Sequence, residues 1–110
     1  MRQNNTGRSK PVPLAWQPLI AGYLRHLRAL GRPSTTVNSR REQIEGMARA
    51  LNSIKPADVT RGDIIGYHAD QTWARETRRT HRNAAVSFFT WAFTTERLSG
   101  VNPVDGLPTV

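Results

Sequence analysis

Cysteine is absent from this chain of 110 residues, which removes disulfide scaffolds and thiolate metal centres from consideration. That absence fits a reducing compartment. No apolar run approaches the ~18 residues that a membrane span needs. The polar N-terminus lacks the apolar stretch of a signal peptide, which argues against secretion. Strand-like alternation is missing from the middle of the chain. The three histidines, His26, His68 and His81, show no metal-ligand spacing. There is no HExxH, no glycine-rich phosphate loop and no GxSxG. The chain alone therefore offers no catalytic set, no metal site and no cofactor site.

Acid is also missing from the first two-fifths. Residues 1–41 carry Arg2, Arg8, Lys10, Arg25, Arg28, Arg32, Arg40 and Arg41 and no carboxylate; the first is Glu42. From there to Val110 basic and acidic residues balance, so the whole net charge of +8 lies in the N-terminal part. Lysine is scarce too, with only Lys10 and Lys55. The remaining basic residues are arginines, whose planar fork matches phosphate oxygens and guanine edges. An arginine-weighted positive charge points to a polyanion, most often nucleic acid. Codon bias in a GC-rich genome explains an Arg/Lys ratio equally well, but not the uneven placement of charge.

What is present is helical spacing. Residues 1–13, polar and broken by Gly7, Pro11 and Pro13, read as a disordered basic arm. Residues 99–110, with Gly100, Pro103, Gly106 and Pro108, read as a linker or tail. Between them, 14–98 reads as one all-α domain, a compact bundle of four helices. The first spans about 17–30, with Leu19, Ile20, Tyr23, Leu24, Leu27 and Leu30 on one arc and Gly31 as its stop. The second runs from Ser34, read as its N-cap, to about Leu51. Val37, Ile44, Met47, Ala48 and Leu51 share one face; Asn38, Ser39, Glu42 and Arg49 share the other, with Arg41 at the margin. Arg40 projects into the apolar arc. The third opens on a capping-box pattern, Thr60 with Asp63, and a staple, Val59 with Ile64. It ends near Asp70.

The fourth helix, about Arg75 to Arg97, carries the strongest functional signal. Thr77, His81, Ala84, Ala85, Phe88, Trp91 and Ala92 form its apolar side. Arg75, Arg78, Arg79 and Arg82 occupy a separate arc of about 100°. A helix fits the major groove, and arginine reads guanine O6 and N7 with two bonds. Most charged runs are solvated surface, but Glu76 is the only acid nearby and cannot neutralise four guanidiniums. Further along, Val86, Phe89 and Phe93 turn this side apolar, so that part is buried or covered. Tyr23 and Tyr67 read as core residues, and His81 as half-buried packing.

The order of features resembles the N-terminal core-binding, SAM-like domain of tyrosine recombinases, the phage integrase family. The resembling stretches are YLRHLRALGRPSTTV at 23–37, PADVTRGDI at 56–64, WARET at 73–77, SFFTWA at 87–92 and Asn102-Pro103. Together they cover about 14–108. The resemblance implies one half of a clamp on double-stranded DNA at a core recombination site, serving DNA integration or recombination. It places helices two and four against the major groove. DNA contacts then fall on Thr36, Asn38, Ser39 and Arg41, and on Thr77, Arg78, Arg79, His81 and Arg82. The face arithmetic adds Arg75 and turns Thr36, Thr77 and His81 toward or beside the core. Where the family often has an aromatic, Arg40 either extends its head to a phosphate or pairs with an acid. The family's catalytic residues belong to a second domain beyond the linker, so this chain is expected to bind DNA without cutting it, as part of a larger recombinase. By the same resemblance the parent assembles as a tetramer on DNA, the isolated domain is a monomer with no membrane partner, and the setting is the cytoplasm or nucleoid of a bacterium or phage host. Two other readings stand beside this one. One is a regulator of the helix-turn-helix type, against which the acidic third helix and the length of the fourth count. The other is a SAM-like protein-interaction module.

Overall fold

A run of apolar residues at helical spacing must find partners, and here three such stripes converge. The structure is a computed structural model that describes residues 10–110. Its helices are α1 (Gln17–Ala29), α2 (Ser34–Ala50), α3 (Arg61–Ala69) and α4 (Arg75–Thr94), with a 3-10 turn at Pro56–Asp58. No strand occurs among the described residues. Helices α1, α2 and α4 pack on one another, and the short α3 joins their core through Ile64. The all-α, four-helix architecture expected from the periodicity is the one observed. No helix among the described residues is long and apolar enough to cross a membrane.

The ends of the helices follow local chemistry. After α1, Gly31 adopts φ +78°. Its N–H donates to the Arg28 carbonyl, and Arg32 N–H donates to Leu27, a Schellman closure that a left-handed glycine allows. At α2 the cap differs from expectation. Pro33, not Ser34, is the N-cap, and no side chain caps the helix. The Pro33 carbonyl takes the Val37 N–H at 3.0 Å, which places Ser34 one position inside. At α3 both capping-box bonds form: Asp63 N–H donates to Thr60 Oγ1 at 3.1 Å, and Thr60 N–H to Asp63 Oδ2 at 2.9 Å. Val59 and Ile64 are both buried, as a staple requires.

Helix α4 stops three residues short of Arg97. Thr94 and Thr95 turn their hydroxyls back onto the carbonyls of Thr90 and Trp91, which competes with the helical ladder. Glu96 then takes φ +60°, and Arg97 N–H closes onto the Ala92 carbonyl at 2.9 Å.

The core is aromatic. Trp16, Tyr23, Phe88 and Phe89 are fully buried with Ile44, Met47 and Ile64. The Trp16 ring stacks on Phe88 at 6.2 Å and meets the edge of Phe89 at 6.3 Å; its indole N–H donates to the Ile54 carbonyl at 3.0 Å. Tyr23 meets Phe88 edge-on at 5.4 Å. Its hydroxyl lies 2.7 Å from Ser87 Oγ and accepts from Arg40 Nη1 at 2.9 Å. Arg40 thus satisfies a buried hydroxyl, and no carboxylate pairs with it among the described residues. Val86 and Phe93 lie partly buried against the same core.

Of the segment expected to be a disordered arm, residues 1–9 lie outside the described part. Val12 packs against the core, and the Lys10 carbonyl accepts from Arg49 Nε at 2.9 Å. Of 99–110, read as linker or tail, the last part is docked. Val104 and Leu107 are buried, and a turn closes from Asn102 to both Val104 and Asp105.

Candidate nucleic-acid interface

The arginine-rich first half of α4 divides into two pairs. Arg78 and Arg82 are half-buried and turned onto the protein. Arg78 donates to the carbonyls of His68 and Gln71, both at 2.6 Å. The His68 carbonyl lies in the last turn of α3 and Gln71 just beyond it, so Arg78 sits at the C-terminus of the helix beside it, where a cation suits the dipole. Arg82 donates through Nε to the Pro108 carbonyl at 2.7 Å and through Nη2 to Leu107 at 3.0 Å. The sequence presents both as free phosphate ligands; in the structure their forks are occupied by backbone carbonyls. Carbonyls are neutral, so neither charge is cancelled, and both still contribute to the local potential.

Arg75 and Arg79 are exposed. They lie four residues apart on one face. Arg79 pairs with Glu76 at 3.0 Å, with both side chains largely in solvent. Such a pair is worth little and yields readily to a phosphate. Thr77, which the face arithmetic turned toward the core, is exposed at the first turn, where the core does not yet reach.

His81 is half-buried and stacks on Trp73, ring centroids 3.7 Å apart. Tyr67 and His68 complete this cluster, each within 6 Å of the Trp73 centroid. Burial pushes the Tyr67 hydroxyl up to about 12. His68 is held below the ordinary imidazole range by burial first, then by the charges of His81, Arg78 and Arg82. Burial lowers His81 as well. Both shifts favour the neutral imidazole.

On α2, Asn38 and Ser39 are exposed and Thr36 is half-buried. Arg41 is half-exposed and reaches Glu45 at 3.7 Å; Arg49 shares that carboxylate at 3.6 Å. Glu42, exposed beside them, matches the second guanidinium, so this patch of α2 carries no net charge. Asn83 is an exposed residue that the arc count omitted. It follows Arg79 by four positions, so the same spacing rule places it on the Arg75–Arg79 face. No group of acidic or imidazole side chains among the described residues could hold a metal ion.

No protein-family model matches the chain, and no curated protein matches it. An integrase from mycobacterium phage Brujita shares its fold, with a TM-score of 0.77 over 87% of this chain. The two are 21% identical over the match, which takes in 33% of the integrase. The chain thus spans about a third of that protein's length, and at this identity the likeness is one of fold.

Proposed function

We propose that this chain is the DNA-gripping domain of a site-specific tyrosine recombinase, holding double-stranded DNA at a core recombination site. In this reading it positions DNA and leaves strand cleavage to a separate catalytic domain. The observation that supports it best is the pair of exposed guanidiniums, Arg75 and Arg79, on a helix with Arg78 and Arg82 charged behind them. The Brujita phage integrase carries the same fold. Asn38, Ser39 and Arg41 on α2, and Thr77 and Asn83 on α4, supply further exposed or half-exposed groups for phosphates and base edges. Thr36 and His81, both half-buried, act at the margin. Arg78 and Arg82 contribute charge and scaffold the neighbouring backbone.

The experiment is a mobility shift on duplex DNA over a salt series. Contact with roughly five phosphates gives a log–log slope of about −4.5. A half-clamp binds weakly, around micromolar, within the ~10⁻⁴–10⁻⁶ M range of non-specific complexes. A protein-interaction role is favoured by one different observation. An apolar groove of about 440 Å³ lies between Pro18, Leu19, Pro56 and Leu98, rimmed by Lys55 and Arg97. A module working only through that groove shows no shift on duplex and little response to salt.

A further inference from the structure

The segment 102–110 is held by two guanidiniums from different helices. Arg61, at the start of α3, donates to the Asp105 carbonyl at 3.0 Å. It lies so close over Gly106 that a Cβ there would collide with its Nη1. Gly106 also has φ +74°, and it is this backbone conformation that calls for glycine. Arg82 holds the other end through the Leu107 and Pro108 carbonyls. Between these clamps Val104 and Leu107 are the apolar anchors. The Leu107 N–H bonds back to Val104 at 3.1 Å. This is a strap, and its distal clamp is one of the four arginines in the basic stripe of α4.

Beside the strap carbonyls, Arg82 gains a second class of acceptor under the DNA-binding reading. Arg75, Arg79 and Arg82 stand at i, i+4 and i+7, one continuous helix face. A duplex laid against the first two brings phosphate oxygens to the third. The strap offers Arg82 two neutral carbonyls, whereas a phosphate offers the same fork an anion, which adds attraction between full charges and a two-pronged fit. From this shared arginine we infer that the strap and duplex DNA compete for Arg82, so that DNA engagement loosens residues 107–110 while Arg61 keeps the proximal end in place. This inference rests on the DNA-binding reading above and adds its regulation. Linkage makes the coupling reciprocal: whatever loosens the strap strengthens DNA binding by the same factor.

Two measurements on the whole chain test it. In the first, a mixed-sequence duplex of roughly two helical turns, about 20 base pairs, is titrated into labelled protein. Exchange of the Leu107 amide and the Arg82 Nε–H resonance are followed. Leu107 exchange accelerates about tenfold, the effect of losing one hydrogen bond to a charged group, and the Arg82 signal moves with it. In the second, Leu107→Ala weakens the apolar anchor without touching Arg82, and it binds the same duplex at least ~5-fold more tightly, the lower end of ordinary coupling. Wild-type binding with unchanged or slower Leu107 exchange overturns the competition and leaves the DNA-binding reading standing. So does a Leu107→Ala chain, folded by circular dichroism, that binds no better than wild type. Absence of any duplex binding at low salt removes both readings together.

Discussion

Trp73 and His81 lie face to face, ring centroids 3.7 Å apart and planes inclined by 17°. The contact joins the segment between α3 and α4 to the second turn of α4. It also makes the protonation of His81 a matter of stability. Burial holds both His81 and its neighbour His68 below the usual imidazole range, and His68 also faces the charges of Arg78 and Arg82. The unfolded chain binds protons at these sites more readily than the folded one. Stability is therefore complete above the unfolded value of 6.5 and falls as pH drops through it toward the lower folded values. Thermal unfolding measured from about pH 7.5 down to about pH 5 gives a declining Tm, and His81→Phe, which keeps a ring on Trp73, flattens part of the decline. A wild-type profile that is level across pH 6 contradicts the buried, neutral state of the pair.

Arg78→Ala removes the donor to the carbonyls of His68 and Gln71. Hydrogen bonds to charged groups contribute about 1.5–3 kcal/mol when well enclosed. The site is only half-buried, so a loss of about 1–2 kcal/mol in urea unfolding is expected. A free phosphate ligand gives no loss. Unchanged unfolding therefore returns Arg78 to the role its sequence position suggests.

That difference shows where sequence reading stops. The start of α3 was legible because both halves of the capping box are side chains, Thr60 and Asp63, at a fixed spacing. The core faces of α1, α2 and α4 were legible because burial repeats with the helix period. The partners of Arg78 and Arg82 are backbone carbonyls, which every residue owns, so nothing in the sequence marks His68, Gln71, Leu107 or Pro108 as acceptors. Trp16 was legible but lay one position outside the expected helix: it stands four residues before Ile20 and seven before Tyr23, in line with the α1 stripe, and as N-cap its carbonyl takes the Ile20 N–H. Its partners Ile54 and Phe88 come from distant parts of the chain. At the interface, the exposure of Asn38, Ser39, Arg75 and Arg79 followed from arcs alone, while that of Thr77 and Asn83, and the division of four arginines into two exposed and two engaged, needed the fold.

Glu96 closes α4 in the left-handed region at φ +60°, where a side chain costs roughly 1–2 kcal/mol. Its carboxylate also lies at the negative end of the helix dipole. Glu96→Gly relieves both effects and gives up part of the gain as unfolded-state entropy, for a net stabilisation of about 1 kcal/mol. Denaturant unfolding checks this, and a destabilised variant shows that Glu96 makes a contribution other than closing the helix.

Phe88 is fully buried and touches Trp16, Tyr23, Phe89 and Trp91. Phe88→Ala leaves a cavity at the meeting point of α1 and α4 and costs about 3–5 kcal/mol. A cost below about 1 kcal/mol in equilibrium unfolding is incompatible with this ring at the centre of the core.

The central claim is that Arg75 and Arg79 meet the phosphates of duplex DNA. Its most direct test is the salt dependence of duplex affinity for the wild-type chain and for the Arg75→Ala/Arg79→Ala variant. Both residues are exposed, so the variant melts at the wild-type temperature. Each lost phosphate contact flattens the log–log slope by about 0.9, moving it from about −4.5 to about −2.7, with weaker binding throughout. A variant that binds with wild-type affinity and slope, or a wild-type chain that leaves the duplex unshifted at low salt, contradicts it.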